Sequence, residues 1–329
     1  MIPVPVDSGT GSASASADGR GARRSCAVVV ASNRDPALLH ACVASLLPQC
    51  VAAHADLIVA RAGALAPEDF DRLTACGVRL LFAPADATIP ELRGRGMQGA
   101  VADLVAVTED HCVADAGWLE ALQRAAGTDA DVIGGGMDNA RRARAVDWGA
   151  YFSEYGFFSS ERSATPGTDA PPLLTGANVA YARSVAGRVA AWAIAGDWEN
   201  VAHRRLAAEG RLLRFAPRAV ILQNKSYAFG SFCVDRYEHG LDYARTRLAL
   251  DGTHRRWVLF AATPVLPFLL TIRVARAAAR GRLATFLRAV PATFAFLGAW
   301  SLGEAVGYLA GPAFAPTQPS HTSLNDSHS

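Results

Sequence analysis

Short apolar runs alternate with helical patterns through the first third of the chain, and that alternation restricts the fold more than any single motif. Residues 26–31 read Cys-Ala-Val-Val-Val-Ala, a β-branched run suited to a strand buried on both faces. The run ends at Ser32-Asn33-Arg34-Asp35. Asp35 is placed to cap a helix that has Pro36 at its first position and an apolar pattern of Leu38, Leu39, Cys42, Leu46 and Leu47. The unit repeats, with apolar runs at 56–60, 78–82 and 103–107 and helices expected from about Pro67 and Pro90. Such alternation predicts an α/β domain, Rossmann-like, with a mostly parallel sheet flanked by helices. Sheets of this kind hold ligands in the crevice at the carboxyl ends of their strands.

At one of those ends stands Val107-Thr108-Glu109-Asp110-His111-Cys112. One reading is a polar loop that stops the strand. The other is a metal site, because carboxylates and imidazole are ligand types that divalent cations accept. The strand-end position favours a site.

Beyond it, a helix is expected around 117–122 and a strand at 132–136 that runs into a flexible glycine turn. Residues 146–158 carry Trp148, Tyr151, Phe152, Tyr155, Phe157 and Phe158, more aromatic rings than a soluble helix face needs, so part of this segment is expected to line a pocket. Residues 159–172 have the composition of a mobile loop. Helices are expected at 197–209 and 231–250, with two short strands between them at 212–215 and 219–222.

A formal charge of +2 on 329 residues gives no general polyanion-binding surface, so nucleic acid is not an expected partner. The six cysteines are scattered without a C-x-x-C pair and read as reduced thiols. Residues 1–25 and 316–329 are expected to be disordered tails. The first of these lacks the apolar stretch of about 7–15 residues that a signal peptide needs, so the main domain, 26–250, is expected on the cytoplasmic side.

Residues 251–315 are expected to form a membrane-associated helical region. The segment 257–272 is uncharged and apolar but holds Pro264 and Pro267, and it is short of the ~20 residues of a spanning helix. The segment 289–315 carries one charge, Glu304, and is long enough to span. Arg273, Arg276, Arg280, Arg282 and Arg288 lie between or beside them, which places that linker on the cytoplasmic side. The first segment is then expected to dip into the bilayer and return, or to lie in the interface with arginines on anionic lipid. The alternative is a water-soluble helical hairpin packed on the domain.

Five segments in order carry a resemblance. They are Ala31-Ser32-Asn33-Arg34, Glu91-Leu92-Arg93-Gly94-Arg95-Gly96, the acidic motif at 109–111 followed by Gly117-Trp118-Leu119, Gly176-Ala177-Asn178-Val179-Ala180-Tyr181, and Gly196-Asp197-Trp198-Glu199. Together they resemble family 2 glycosyltransferases of the GT-A fold, bacterial-type, with C-terminal membrane-associated hydrophobic segments. The resemblance implies an inverting transfer from a nucleotide-diphosphate sugar to an acceptor that the sequence does not identify, lipid-linked if the membrane location holds.

It further implies that Ser32, Asn33, Arg34, Arg93, Arg95, Glu109, Asp110, Gly176, Asn178 and Arg236 serve nucleotide-sugar binding, with His239 beside Arg236 over the diphosphate. Asp110 and His111 would hold a divalent metal, Mn or Mg, the imidazole tilting the choice to Mn. Asp197 and Glu199 compete as general base, with Glu199 preferred. Each has an ordinary reading too: acids at a helix start, arginines on a solvated helix face, an asparagine in a turn.

Two departures stand out. Ile58-Val59-Ala60 runs into Arg61-Ala62-Gly63 where the family usually has an Asp-Asp-Gly-Ser-like turn, and Glu109 and His111 stand where aspartates are commoner. They keep open a catalytically inactive membrane scaffold or nucleotide-sugar-binding protein. A nucleotidyltransferase is disfavoured, because Ser32-Asn33-Arg34-Asp35 is not a glycine-rich phosphate loop.

Overall fold

The computed structural model describes residues 24–33, 35–127, 129–141, 143–160, 174–279 and 281–312. The expected tails, the greater part of the 159–172 loop, Arg34 and Arg280 lie outside the described residues.

The first half follows the alternation in the sequence: β1 (Cys26–Ser32), α1 (Pro36–Ala53), β2 (Asp56–Ala62), α2 (Pro67–Ala75), β3 (Arg79–Ala83), α3 (Ile89–Gly99) and β4 (Leu104–Glu109). Asp35 caps α1 as expected, its Oδ1 accepting from the backbone N–H of Ala37 at 2.8 Å. After β4 come β5 (Cys112–Ala114), α4 (Trp118–Ala126), β6 (Val132–Asn139), α5 (Ala145–Glu154), β7 (Asn178–Ala182), α6 (Arg183–Ile194), α7 (Glu199–Ala208), β8 (Leu213–Gln223) and α8 (Phe229–Asp251). The chain closes with α9 (Arg256–Ala262), α10 (Leu266–Ala278) and α11 (Leu283–Ala310).

The eight strands form one sheet in the order β3-β2-β1-β4-β7-β6-β8-β5. It is mostly parallel, as expected, with six strands running one way, but it is mixed. Strands β1 to β4 are parallel to one another, but β7 runs antiparallel to both β4 and β6, and β5 antiparallel to β8. The two short strands expected at 212–215 and 219–222 are one strand, β8. Its register against β6 shifts between Gly135 and Gly136, so Ala216 pairs with Gly135 and Val220 with Gly136. Pro217, which reads as a break in the sequence, sits in that bulge, where a missing N–H is tolerated.

The glycines 134–136 are likewise no flexible turn; they are buried inside β6. A side chain on Gly135 would come within 2.1 Å of the Ala219 carbonyl and 2.4 Å of the Asn178 amide. Glycine is what lets these backbones approach.

Alternate residues of the strands feed two cores. Val28, Val30, Leu57, Val59, Leu104 and Ala106 face α1, α4 and α5, a cluster that also takes in Val274 of α10 and Phe286 and Ala289 of α11. Val29, Ile58, Val105 and Val107 face the side covered by α3, α6 and α7. The C-terminal helices therefore share the main core.

Among the described residues three helices are long and apolar enough to cross a membrane: Pro36–Ala53, Arg256–Ala278 and Leu283–Ala310. The first is α1, whose Leu39, Cys42, Leu46 and Cys50 are buried in the sheet core. The second is interrupted by a 3-10 turn at Thr263–Val265. Helix α11 lies along α8 with backbone-to-backbone closeness: a methyl on Gly303 would meet the Tyr237 carbonyl at 2.0 Å, and one on Gly240 the Trp300 carbonyl at 2.1 Å.

Candidate functional site

Strands β1 and β4 are in-register parallel neighbours, with Ala31 opposite Glu109, so both leave the sheet at one edge. The Asp110 N–H donates to the Ala31 carbonyl at 3.0 Å, which seats the Asp110–His111 turn beside Ser32. Asp110 Oδ2 then accepts from Ser32 Oγ at 2.9 Å and from the Asn33 N–H at 3.0 Å. Glu109, Asp110 and His111 are 6%, 0% and 2% exposed. A solvated polar loop would leave them open to water, so that reading fails. Burying such groups is costly unless each is paired.

The pairing is extensive. His111 Nδ1 lies 3.4 Å from Glu109 Oε2 and 3.9 Å from Asp110 Oδ1, while its Nε2 is 3.4 Å from the Tyr155 hydroxyl. Burial, reinforced by Glu154 and Glu109, pushes the Tyr155 phenol well above its ordinary pKa, so it stays protonated. Arg61 closes the other side. It donates to Ser32 Oγ at 2.8 Å and stands 3.9 Å from Asp110 Oδ2.

On α3, Arg93 is buried and bridges two carboxylates: Nη1 donates to Glu199 at 2.8 Å and Nη2 to Glu109. Gly176 makes room for this guanidinium, since a Cβ there would lie 2.1 Å from Nη1. Burial by itself would raise the Glu199 pKa. The Arg93 cation and backbone N–H groups of Gly176 and of Glu199 itself outweigh burial and hold the carboxyl below the usual value. One turn along α7, His203 shares a 2.9 Å hydrogen bond with the Tyr181 hydroxyl, and burial pushes it down to about 4.

The structure thus brings Ser32, Asn33, Arg93, Glu109, Asp110, His111, Gly176 and Glu199 to one sheet edge. Other expected residues have partners of their own. Arg95 is on the outer side of α3, paired with Glu91 at 2.7 Å. Asp197 pairs with Arg205 at 2.5 Å. Asn178 is fully buried, its amide bonded to Trp118 Nε1 at 2.8 Å and to the Gly136 and Ala219 carbonyls at 2.8 and 2.9 Å. Arg236 is buried on α8, 4.4 Å from the Trp300 ring. Arg282, one of the basic linker residues, grips Asp138 at the end of β6 at 2.5 and 2.8 Å.

Sequence reading did not assign Arg61 or Tyr155 to this edge. Arg61 was visible as a departure from the family turn, but its contact with Ser32 depends on the β1–β2 register.

No protein-family model matches the chain, and no curated protein matches it by sequence. Solved structures do match. A mannosyltransferase from Pyrobaculum calidifontis, in complex with GDP-Man and Mn2+, superposes with a TM-score of 0.54 at 14% identity, 87% of each chain being covered. The fold is GT-A-like. Glucosyl-3-phosphoglycerate synthase from Mycobacterium tuberculosis, in complex with Mn2+, UDP and glucosyl-3-phosphoglycerate, gives a TM-score of 0.41 at 14% identity. That match covers 66% of this chain and 78% of the synthase.

Proposed function

We propose that this chain is a nucleotide-sugar-dependent, inverting glycosyltransferase with its donor diphosphate at the Asp110–His111 turn and its acceptor on the α7 side. The observation that carries the reading is the buried Glu109-Asp110-His111 corner at the carboxyl ends of two parallel strands. Arg93 links that corner to Glu199.

A divalent ion fits the donor set. Two ligands of an ion held at about 2.1 Å stand roughly 3–4 Å apart, and Asp110 Oδ1 and His111 Nδ1 are 3.9 Å apart. Among the described residues no cluster of three or more His, Cys, Asp or Glu is disposed to hold an ion alone. The protein therefore offers one carboxylate and one imidazole, and the remaining positions fall to phosphate oxygens and water, as is usual for ions bound with nucleotides. The mannosyltransferase with a similar fold carries Mn2+ with GDP-Man, and imidazole suits Mn better than Mg. Such an ion supplies Lewis-acid neutralisation of the departing diphosphate.

The chain's own residues do the rest. Arg61 and Arg93 add fixed positive charge beside the diphosphate. Tyr155 orients His111 through Nε2. Glu199, ionised and aimed by Arg93, takes the proton of the acceptor hydroxyl. Asn33 and, beyond the described residues, Arg34 are assigned to the donor side, while the side chains of Arg95, Asn178 and Arg236 are engaged by other partners.

Exposed Trp257, Val258, Phe268, Leu269 and Ile272 on α9–α10 and Leu287 and Leu302 on α11 support a membrane-surface location for this catalyst. One observation favours a second reading, a nucleotide-sugar-binding protein without turnover: an ion-paired Glu199 is a weaker base than a lone one.

The test is calorimetric titration of UDP and GDP, with and without Mn2+, into the wild type and the Asp110→Ala and His111→Ala variants. The expected result is metal-dependent binding of one nucleotide that both substitutions abolish. Binding that ignores both metal and substitution overturns the site assignment.

A further inference from the structure

A cavity of about 470 Å³ opens between α8 and the helices α9–α11, and α5 joins it to the site above. Ser153 on α5 accepts from Arg236 at 3.4 Å, and two residues later Tyr155 reaches His111. The cavity wall is divided by element. Arg236 and Arg247 come from α8, whereas Leu259, Leu266, Leu270 and Arg273 come from α9 and α10.

Arg236 is the informative member. It is 6% exposed, yet among the described residues no carboxylate lies within ion-pairing distance of it. Its Nε makes no hydrogen bond, and beyond the long Ser153 contact its guanidinium rests on the Trp300 ring. A buried cation without an anion is costly, and phosphate is the anion whose oxygens match the guanidinium fork. Two acids also line the cavity. Glu304 is occupied by Trp300 Nε1 at 2.5 Å and the Tyr308 hydroxyl at 3.0 Å, while Glu154 acts on Arg236 only at a distance. Arg247 is held by Asp251 at 3.8 Å, so the cations the wall offers a ligand are Arg236 and Arg273.

On the outer side of α10 and the turn before it, Val265, Phe268 and Leu269 are more than half exposed, so an apolar surface continues outward from the cavity. We propose that this cavity binds the phosphate-bearing head of an amphiphile whose apolar chain lies along α9–α10. Its role as acceptor site rests on the glycosyltransferase reading; its ligand chemistry does not.

The probes are n-octyl phosphate, n-octanol and inorganic phosphate, titrated below micellar concentration into the full chain and into the Arg236→Met and Arg273→Ala variants. Octyl phosphate is expected to bind the wild type at least about tenfold tighter than either other probe, the equivalent of ~1.4 kcal/mol. Arg236→Met is expected to erase most of its preference over octanol, and exposed Arg273→Ala part of it. Equal affinity for octanol, or a preference untouched in both variants, overturns the proposal. Inorganic phosphate binding as tightly as octyl phosphate overturns it too, as a free-phosphate site. Should Arg236→Met not fold, the wild-type probe series and Arg273→Ala still decide.

UDP and GDP with Mn2+ are titrated on the same samples. Nucleotide binding without the phosphate preference overturns the cavity assignment alone. The phosphate preference without nucleotide binding supports the cavity and overturns the donor-site reading.

Discussion

Arg93 and Glu199 are 106 positions apart in sequence and 2.8 Å apart in the fold. That ion pair orients the carboxylate proposed as general base, whereas Asp197, which lines the same small cavity, is paired with Arg205.

If Glu199 is the base, Glu199→Gln lowers kcat for donor turnover by about 10²–10⁴-fold while nucleotide binding persists. Asp197→Asn, altering a carboxylate paired away from the donor corner, costs less than about tenfold on the same scale. Steady-state assays with acceptor or water would settle it, and a larger loss in Asp197→Asn would reverse the assignment.

Gly176→Ala tests the space around Arg93. The added methyl must displace a guanidinium held by two carboxylates, so a stability loss of about 1–3 kcal/mol is expected from overpacking, with weaker donor binding. Gly187→Ala, where a methyl meets nothing within 4 Å, is the control. Equal thermal midpoints for the two variants would count against the Arg93 arrangement.

His203 makes stability depend on pH. Burial, aided by Arg93 and opposed by Glu199, depresses it to about 4 in the folded chain. The unfolded chain binds a proton below about 6.5 and the folded one does not, so the contribution is full above that value and fades as pH falls toward the folded value. Between pH 7 and pH 5 the loss is expected to be about 2 kcal/mol. His203→Gln, which keeps a partner for Tyr181, should flatten the dependence in thermal scans. Parallel curves for variant and wild type would show that His203 is not responsible.

The α8–α11 seam gives a prediction with an internal control. Gly303→Ala drives a methyl to 2.0 Å from the Tyr237 carbonyl, whereas Gly298→Ala, on the same helix, meets nothing within 4 Å. The first is expected to destabilise by at least about 1–3 kcal/mol and the second to be neutral or stabilising by up to ~1 kcal/mol through helix propensity. Equal midpoints in differential scanning would refute the close packing.

By itself the sequence determined the local elements and where they leave the sheet. The Asp35 cap, Pro36 and the β-branched run of β1 act within a few residues, so they are legible without a fold. Strand alternation also placed Glu109, Asp110 and His111 at a carboxyl edge, because parallel βα units put every such end on one side. What lay beyond reach was whatever depends on long-range register. The antiparallel entry of β7 between β4 and β6, the bulge that makes β8 one strand, and the Arg282–Asp138 pair, 144 positions apart, have no local signature. Nor does an arginine announce its partner: Arg93 and Arg95 stand two residues apart on one helix, and only the packing of α3 against α6 and β1 turned one inward to two carboxylates and left the other in solvent.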